Sequence, residues 1–182
     1  MRKTNHKIMA IREIVTTPAP VLREPAKSLR QVSPKTRTLI ADMIETMRAA
    51  PGVGLAAPQI GVSQRIIVVE FAEESEDPEA PPKPAKLYAL VNPEIVRHSR
   101  ETEIGTEGCL SIPGFVGEVE RAESVTVKAL DRHGKPLRIK AKGWLARIFQ
   151  HEIDHLDGVL YIDRASQVWR LEENEMETSG LD

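Results

Sequence analysis

The chemistry marked most sharply in this sequence lies in His151-Glu152-Ile153-Asp154-His155. Two histidines at i and i+4 of a helix point the same way and can reach one metal ion together. Glu152, beside the first of them, stands where it can handle protons on a water at that ion. Trp144 and Ile148 precede the pair at spacings that keep all four on one helix face, so the histidines are expected to face inward. A catalytic metal site needs a third protein ligand. Glu172, Glu173, Glu175 and Glu177 offer one downstream, as in thermolysin-like proteases; Cys109, in Glu107-Gly108-Cys109-Leu110-Ser111, offers a soft thiolate beside a glycine. Cysteine is also a common buried structural residue, and spacing alone leaves both options open.

A further segment, Gly52-Val53-Gly54-Leu55-Ala56-Ala57-Pro58-Gln59-Ile60-Gly61, is rich in small residues. No Lys-Ser or Lys-Thr follows it, which argues against a phosphate loop. Small residues let a backbone approach a ligand closely, and the Gln59 amide is a candidate hydrogen-bond donor to a developing oxyanion. A tight turn under a sheet is the plainer alternative.

Around these segments the elements can be sketched. Pro18, Pro20 and Pro25 make the first thirty residues an irregular, extended arm. Ser33 and Pro34 read as N-cap and first residue of a helix whose stripe is Leu39, Ile40, Met43, Ile44 and Met47, ended by Pro51-Gly52. Residues 65–71, with Ile66-Ile67-Val68-Val69, read as a buried strand, and 87–91 as a second that ends in a turn at Asn92-Pro93. Residues 72–86 read as an acidic, proline-rich surface loop. Val125, Val127 and Ala129 alternate with Thr126, Lys128 and Leu130, and Asp131-Arg132-His133-Gly134 reads as a hairpin loop into 137–141. The histidine-bearing helix starts near Gly143 and stops before Gly158. The tail, residues 164–182, is expected to be charged chain or a short helix. This pattern predicts an α+β fold with a mainly antiparallel sheet.

Composition narrows the classes. The chain has 182 residues, one cysteine and a formal net charge of −2. That size suits one domain. No apolar run nears the ~20 residues of a membrane span, and no signal peptide is evident. The charge points to neither a nucleic-acid nor a membrane surface, and a lone cysteine fits a reducing cytoplasm.

Taken together and in order, the segments Gly52 to Gln59, Glu107 to Ser111 and Gln150-His151-Glu152-Ile153-Asp154-His155 resemble the signature motifs of the peptide deformylase family. The likeness extends from Ala10-Ile11-Arg12 through Gly158-Val159-Leu160. Residues 1–8 look like an extension, with Met9 as an alternative start, and loop 72–86 is longer than in short family members.

The resemblance implies a single catalytic domain over 1–182, with mainly antiparallel sheets packed around a central metal-binding HExxH helix. It implies removal of the formyl group from the formylmethionine of nascent polypeptides, releasing formate. Cys109, His151 and His155 would hold one divalent ion, iron(II) foremost, with zinc, nickel or cobalt as substitutes. Glu152 would transfer protons, and Gln59 with the Leu110 N–H would hold the oxyanion. Val53 and Gly54 would pair the peptide backbone; Trp144 and Ile148 are expected to line the methionine pocket, with Arg147 at its mouth or in solvent. N-formylmethionyl peptides would be the partners, with the ribosome near its exit tunnel, and no nucleic acid is expected to bind directly. The rivals are an HExxH protease using a downstream glutamate and a non-catalytic metal-stabilised module. The latter would need a closed site of four protein ligands.

Overall fold

The structure is a computed structural model and describes residues 10–72 and 83–171. The first helix, α1 (Pro34–Ala49), begins as its sequence dictates. Ser33 Oγ accepts from the Thr36 N–H at 3.1 Å, and Thr36 Oγ1 accepts from the Ser33 N–H at 3.2 Å. Two otherwise orphaned donors are thereby satisfied reciprocally.

All strand pairing within the two sheets is antiparallel. The larger sheet holds β1 (Gly54–Ala56), β2 (Ile66–Phe71), β3 (Lys86–His98), β6 (Ser124–Leu130) and β7 (Pro136–Lys142), in the order β1-β2-β3-β6-β7. The smaller holds β4 (Thr102–Gly108), β5 (Phe115–Ala122) and β8 (Gln167–Arg170), in the order β4-β5-β8. The second helix, α2 (Gly143–Leu156), lies against strands of both sheets.

The continuous apolar run of β2 has a physical cause. Ile66 and Val68 pack with Ile40, Met43 and Met47 of α1, whereas Ile67 and Val69 pack with Leu145, Phe149 and Ile153 of α2. A strand covered on both faces cannot alternate polar with apolar. In β6 only Val125, Val127 and Ala129 join the core, so alternation survives there.

Two sequence expectations change. Asn92-Pro93 is not a turn but a bulge inside β3, where the register moves from Val91↔Leu130 to Glu94↔Lys128 and Asn92 takes φ 50°. The Asn92 side chain accepts from the Leu29 N–H at 2.9 Å and donates to the Leu29 carbonyl at 2.8 Å, so it pins the N-terminal arm; Pro93, with no N–H, sits where the ladder is interrupted. In the tail, residues 172–182 lie outside the described residues, and the part before them is not helical. Its described part forms β8, with Phe115↔Arg170 and Glu118↔Gln167, because β5 presents an edge that needs pairing. The Asp131 loop is a hairpin as expected, closed by the Asp131 N–H to the Lys135 carbonyl at 2.9 Å. Residues 1–8 and most of loop 72–86 lie outside the described residues, and Lys86 already belongs to β3.

Helix α2 ends where Gly158 adopts φ 74°, and a Cβ there would stand 2.6 Å from the Arg23 carbonyl oxygen. Both the left-handed backbone and the close approach of the arm require glycine. Gly158→Ala is therefore expected to lower stability by ~1–3 kcal/mol, read as an earlier urea midpoint at constant m. An unchanged midpoint would refute this account.

Candidate metal centre

Helix α2 carries His151 and His155 one turn apart, and Cys109 follows β4 directly, where the smaller sheet meets that helix. The Cys109 Sγ lies 3.3 Å from His155 Nε2, and one donor atom from each of Cys109, His151 and His155 lies within 4.8 Å of the others. The Ser111 N–H at 3.4 Å and the Gln59 amide at 3.5 Å both donate to the sulfur and hold it in place.

The donor set fits a soft or borderline divalent cation. His151 Nδ1 is 2.9 Å from Glu107 Oε2, so it donates there and leaves Nε2 as the ligating nitrogen. Burial holds His155 well below the usual imidazole range, which keeps it neutral, the form that ligates. Burial also opposes charge on His151, but its hydrogen bonds with Cys109 and Glu107 outweigh that and raise it.

Glu152 is buried, and its Oε2 has no hydrogen-bond partner among the described residues. Burial pushes its carboxyl up to about 7, with the His151 charge opposing and Glu107 adding to the rise. A carboxyl poised near neutrality can both take and return a proton. Its position depends on Gly54 of β1: a Cβ there would come within 2.4 Å of Glu152 Oε1. The glycine in that segment is thus the space the carboxylate occupies.

Gln59 sits in the short 3-10 helix Ala57–Ile60 that follows β1. Its Oε1 accepts from the Ala56 N–H at 2.8 Å, which orients the amide and turns Nε2 toward Cys109 and Ser111. A cavity of about 260 Å³ opens beside these groups, and Val53, Gly54, Leu110, Trp144 and Ile148 are in its wall with Gln59, Cys109, His151 and Glu152. Trp144 is half exposed and Ile148 buried. His155 lies at the back of the site and does not line the cavity. The candidates from the three motifs, together with Trp144 and Ile148, are therefore brought to one place, with β1 as an edge strand alongside. Glu172, Glu173, Glu175 and Glu177 lie outside the described residues.

Of the two readings of Arg147, solvent exposure is overturned: the side chain is in the cavity wall beside Trp144 but buried, and it donates to Glu107 Oε1 at 2.8 Å, the Val119 carbonyl at 2.8 Å and the Glu103 carbonyl at 2.7 Å. It belongs to a network that sequence reasoning missed. Arg121 of β5 donates through Nε and Nη2 to the two oxygens of Glu107, both at 2.8 Å, and through Nη1 to Asp154. Arg164 closes the far side of Asp154 at 2.6 and 2.8 Å. Burial opposes the Glu107 charge, yet the hydrogen bonds from Arg121 and His151 hold its carboxyl far below the usual carboxylate range. The available signal was position: Glu107 is two residues from Cys109, and Asp154 stands between the histidines.

Comparisons with known proteins agree with this geometry. The family description "Polypeptide deformylase" matches residues 11–170. The chain is similar to the peptide deformylase of Symbiobacterium thermophilum, 56% identical over 160 residues that cover 88% of this chain and 69% of that one. It is 50% identical over 165 residues to that of Dehalococcoides mccartyi strain CBDB1, covering 91% and 92%. Among solved structures, the Ehrlichia chaffeensis peptide deformylase in complex with actinonin is similar at TM-score 0.77 and 39% identity, over 93% of this chain and 94% of that one. The Met-Ala-Ser-bound class I type b enzyme of Acinetobacter baumannii is similar at TM-score 0.77 and 37% identity, over 86% and 99%.

Removing the Glu107 carboxylate would leave Arg121 and Arg147 buried without it. Glu107→Ala is expected to cost ~3–5 kcal/mol of stability, measured by chemical denaturation. A loss below about 1 kcal/mol, the range of an exposed pair, would show that the network is not structural.

Proposed function

This chain belongs to the polypeptide deformylase family, and from that premise we propose how its own residues perform the reaction. It is a metal-dependent hydrolase that removes the N-terminal formyl group of nascent polypeptides. Water adds to the formyl carbon, the C–N bond breaks, and formate and a free amino terminus result.

Cys109, His151 and His155 hold the divalent ion. Iron(II) is the native ion in this reading, and zinc, nickel and cobalt suit the same donors, whereas magnesium and calcium do not. When bound, such an ion acidifies water and polarises a carbonyl. Glu152 receives the proton of the attacking water on its unpartnered oxygen and delivers it to the departing nitrogen. The Gln59 amide and the Leu110 N–H donate to the oxyanion of the tetrahedral species. Val53 and Gly54, at the edge of β1, pair the peptide backbone as an added strand. Trp144 and Ile148 form the methionine pocket. The observation that carries this reading is a buried carboxyl, Glu152, raised to about 7 and beside the histidines in the cavity wall.

The chain acts as a single domain with α2 at its centre. No helix among the described residues is long and apolar enough to cross a membrane. The site of action in this reading is the cytoplasm, close to the ribosomal exit where formylated chains emerge.

Two measurements test these roles. Glu152→Ala should retain its bound metal by elemental analysis yet release formate from formyl-Met-Ala-Ser at least ~10² more slowly; turnover near the parent's would remove Glu152 from the mechanism. Cys109→Ala should lose the ion. A variant that keeps stoichiometric metal would turn attention to Glu172, Glu173, Glu175 and Glu177 as ligands and to proteolysis.

A further inference from the structure

The formal net charge of −2 hides an uneven distribution. Along β7, Leu137, Ile139 and Ala141 turn to the core cluster, so Arg138, Lys140 and Lys142 all point to the opposite, exposed face. These three recur every second residue, about 6.8 Å apart on an extended strand. Across the sheet, Thr126 of β6 lies between Lys140 of β7 and Arg97 of β3, and Lys128 lies opposite Arg138. The turn after β3 adds Arg100, while the carboxylates nearby are Glu94, Glu101 and Glu123.

Lys128 stands between Glu94 of β3 and Arg138 of β7, so one carboxylate offsets that pair of cations. Among the described residues, the ion pairs at this face reduce to Lys142 with Glu123 at 3.8 Å, which leaves Arg97, Arg100 and Lys140 unneutralised. The strand ends are held firmly: Ser99 and Ser124 exchange hydrogen bonds, with the Ser99 N–H to the Ser124 carbonyl at 2.9 Å and the Ser124 N–H to Ser99 Oγ at 2.9 Å. A groove of about 820 Å³ runs over this corner, lined by Arg97, His98, Arg100, Lys140 and Lys142, with Glu101 as the carboxylate in its wall. The active-site cavity shares none of these residues.

We propose that the outer face of β3, β6 and β7 is a docking surface for the phosphate backbone of RNA. A regular row of cations complements a regular row of phosphates, whereas an acidic peptide presents its charges unevenly. No Phe, Tyr or Trp lines the groove, so contact rests on the phosphates and carries little sequence dependence. The choice of RNA over other polyanions rests on the deformylase reading, because formylated chains leave an RNA-rich machine. Docking by this face leaves the cavity open to the emerging N-terminus.

The test uses the full chain and a fluorescein-labelled RNA hairpin, followed by anisotropy. Binding should weaken about 100-fold between roughly 50 and 200 mM KCl, as four or so released counterions demand. Arg97→Glu with Lys140→Glu and Lys142→Glu should bind at least tenfold more weakly than the parent. The corresponding neutral Gln triple should lower the salt slope by about 3. A control of equal charge change, Arg30→Glu with Lys35→Glu and Arg37→Glu, should bind more tightly than the first triple. Formate release from formyl-Met-Ala-Ser should match the parent in every variant. No anisotropy change for the parent at low salt, a salt-insensitive signal, or equal loss in the control would overturn the proposal. Absent RNA binding with formate release intact defeats this inference alone, whereas absent formate release from the metal-loaded parent defeats the reading beneath it.

Discussion

The Glu107 carboxylate is shared by four donors: two nitrogens of Arg121, one of Arg147 and the ring nitrogen of His151. Through them it ties the end of β4 to β5 and to two successive turns of α2. A carboxylate with this degree of burial survives as a charge only when its oxygens are filled by cationic donors. That requirement dictates much of the surrounding sequence. Arg121 needs Asp154 on its other side, and Asp154 in turn draws in Arg164 from the chain beyond the helix. Gly105 of β4 must lack a side chain, since a Cβ would stand 2.8 Å from the Arg147 guanidinium carbon.

The same constraint reaches the chemistry. With its Nδ1 held by Glu107, the His151 ring cannot rotate, and Nε2 is presented in one direction. Tyr161 stacks on that ring at 6.2 Å between centroids and donates to the Phe115 carbonyl at 3.0 Å, so the imidazole is fixed from its face as well as its edge. Helix α2 itself is held by Gln150, which accepts from the Ala122 N–H at 3.1 Å and donates to the Ala122 carbonyl at 2.9 Å. One face of the helix thus offers His151 and His155 to a metal while other faces are anchored to β5 and the core. Pre-organisation of this kind lets a site act without reorganising during the reaction.

The outer surface follows a different logic. Alternation in β6 and β7 is imposed by the core beneath, but the core says nothing about which polar residues stand outside. Gathering cations from β3, β6 and β7 onto one face is a choice that packing does not explain.

Much was legible in the sequence because it depends on local spacing. The i, i+4 histidines, the Ser33-Pro34 helix start, the β-branched run of β2 and the hairpin at Asp131 are set by backbone periodicity and turn chemistry, which act over a few residues. The short strand β1 and the strands β4, β5 and β8 were not legible. Their residues carry weak local preference and become strands through partners distant in sequence, as when Arg170 meets Phe115. The donor groups were identifiable by type, yet only the tertiary structure brought Cys109 within 3.3 Å of His155 and buried Glu107 between two arginines. Sequence states which side chains can ligate, donate or accept. Which of them are desolvated together, and hence which charges must be paired, is decided by long-range packing alone.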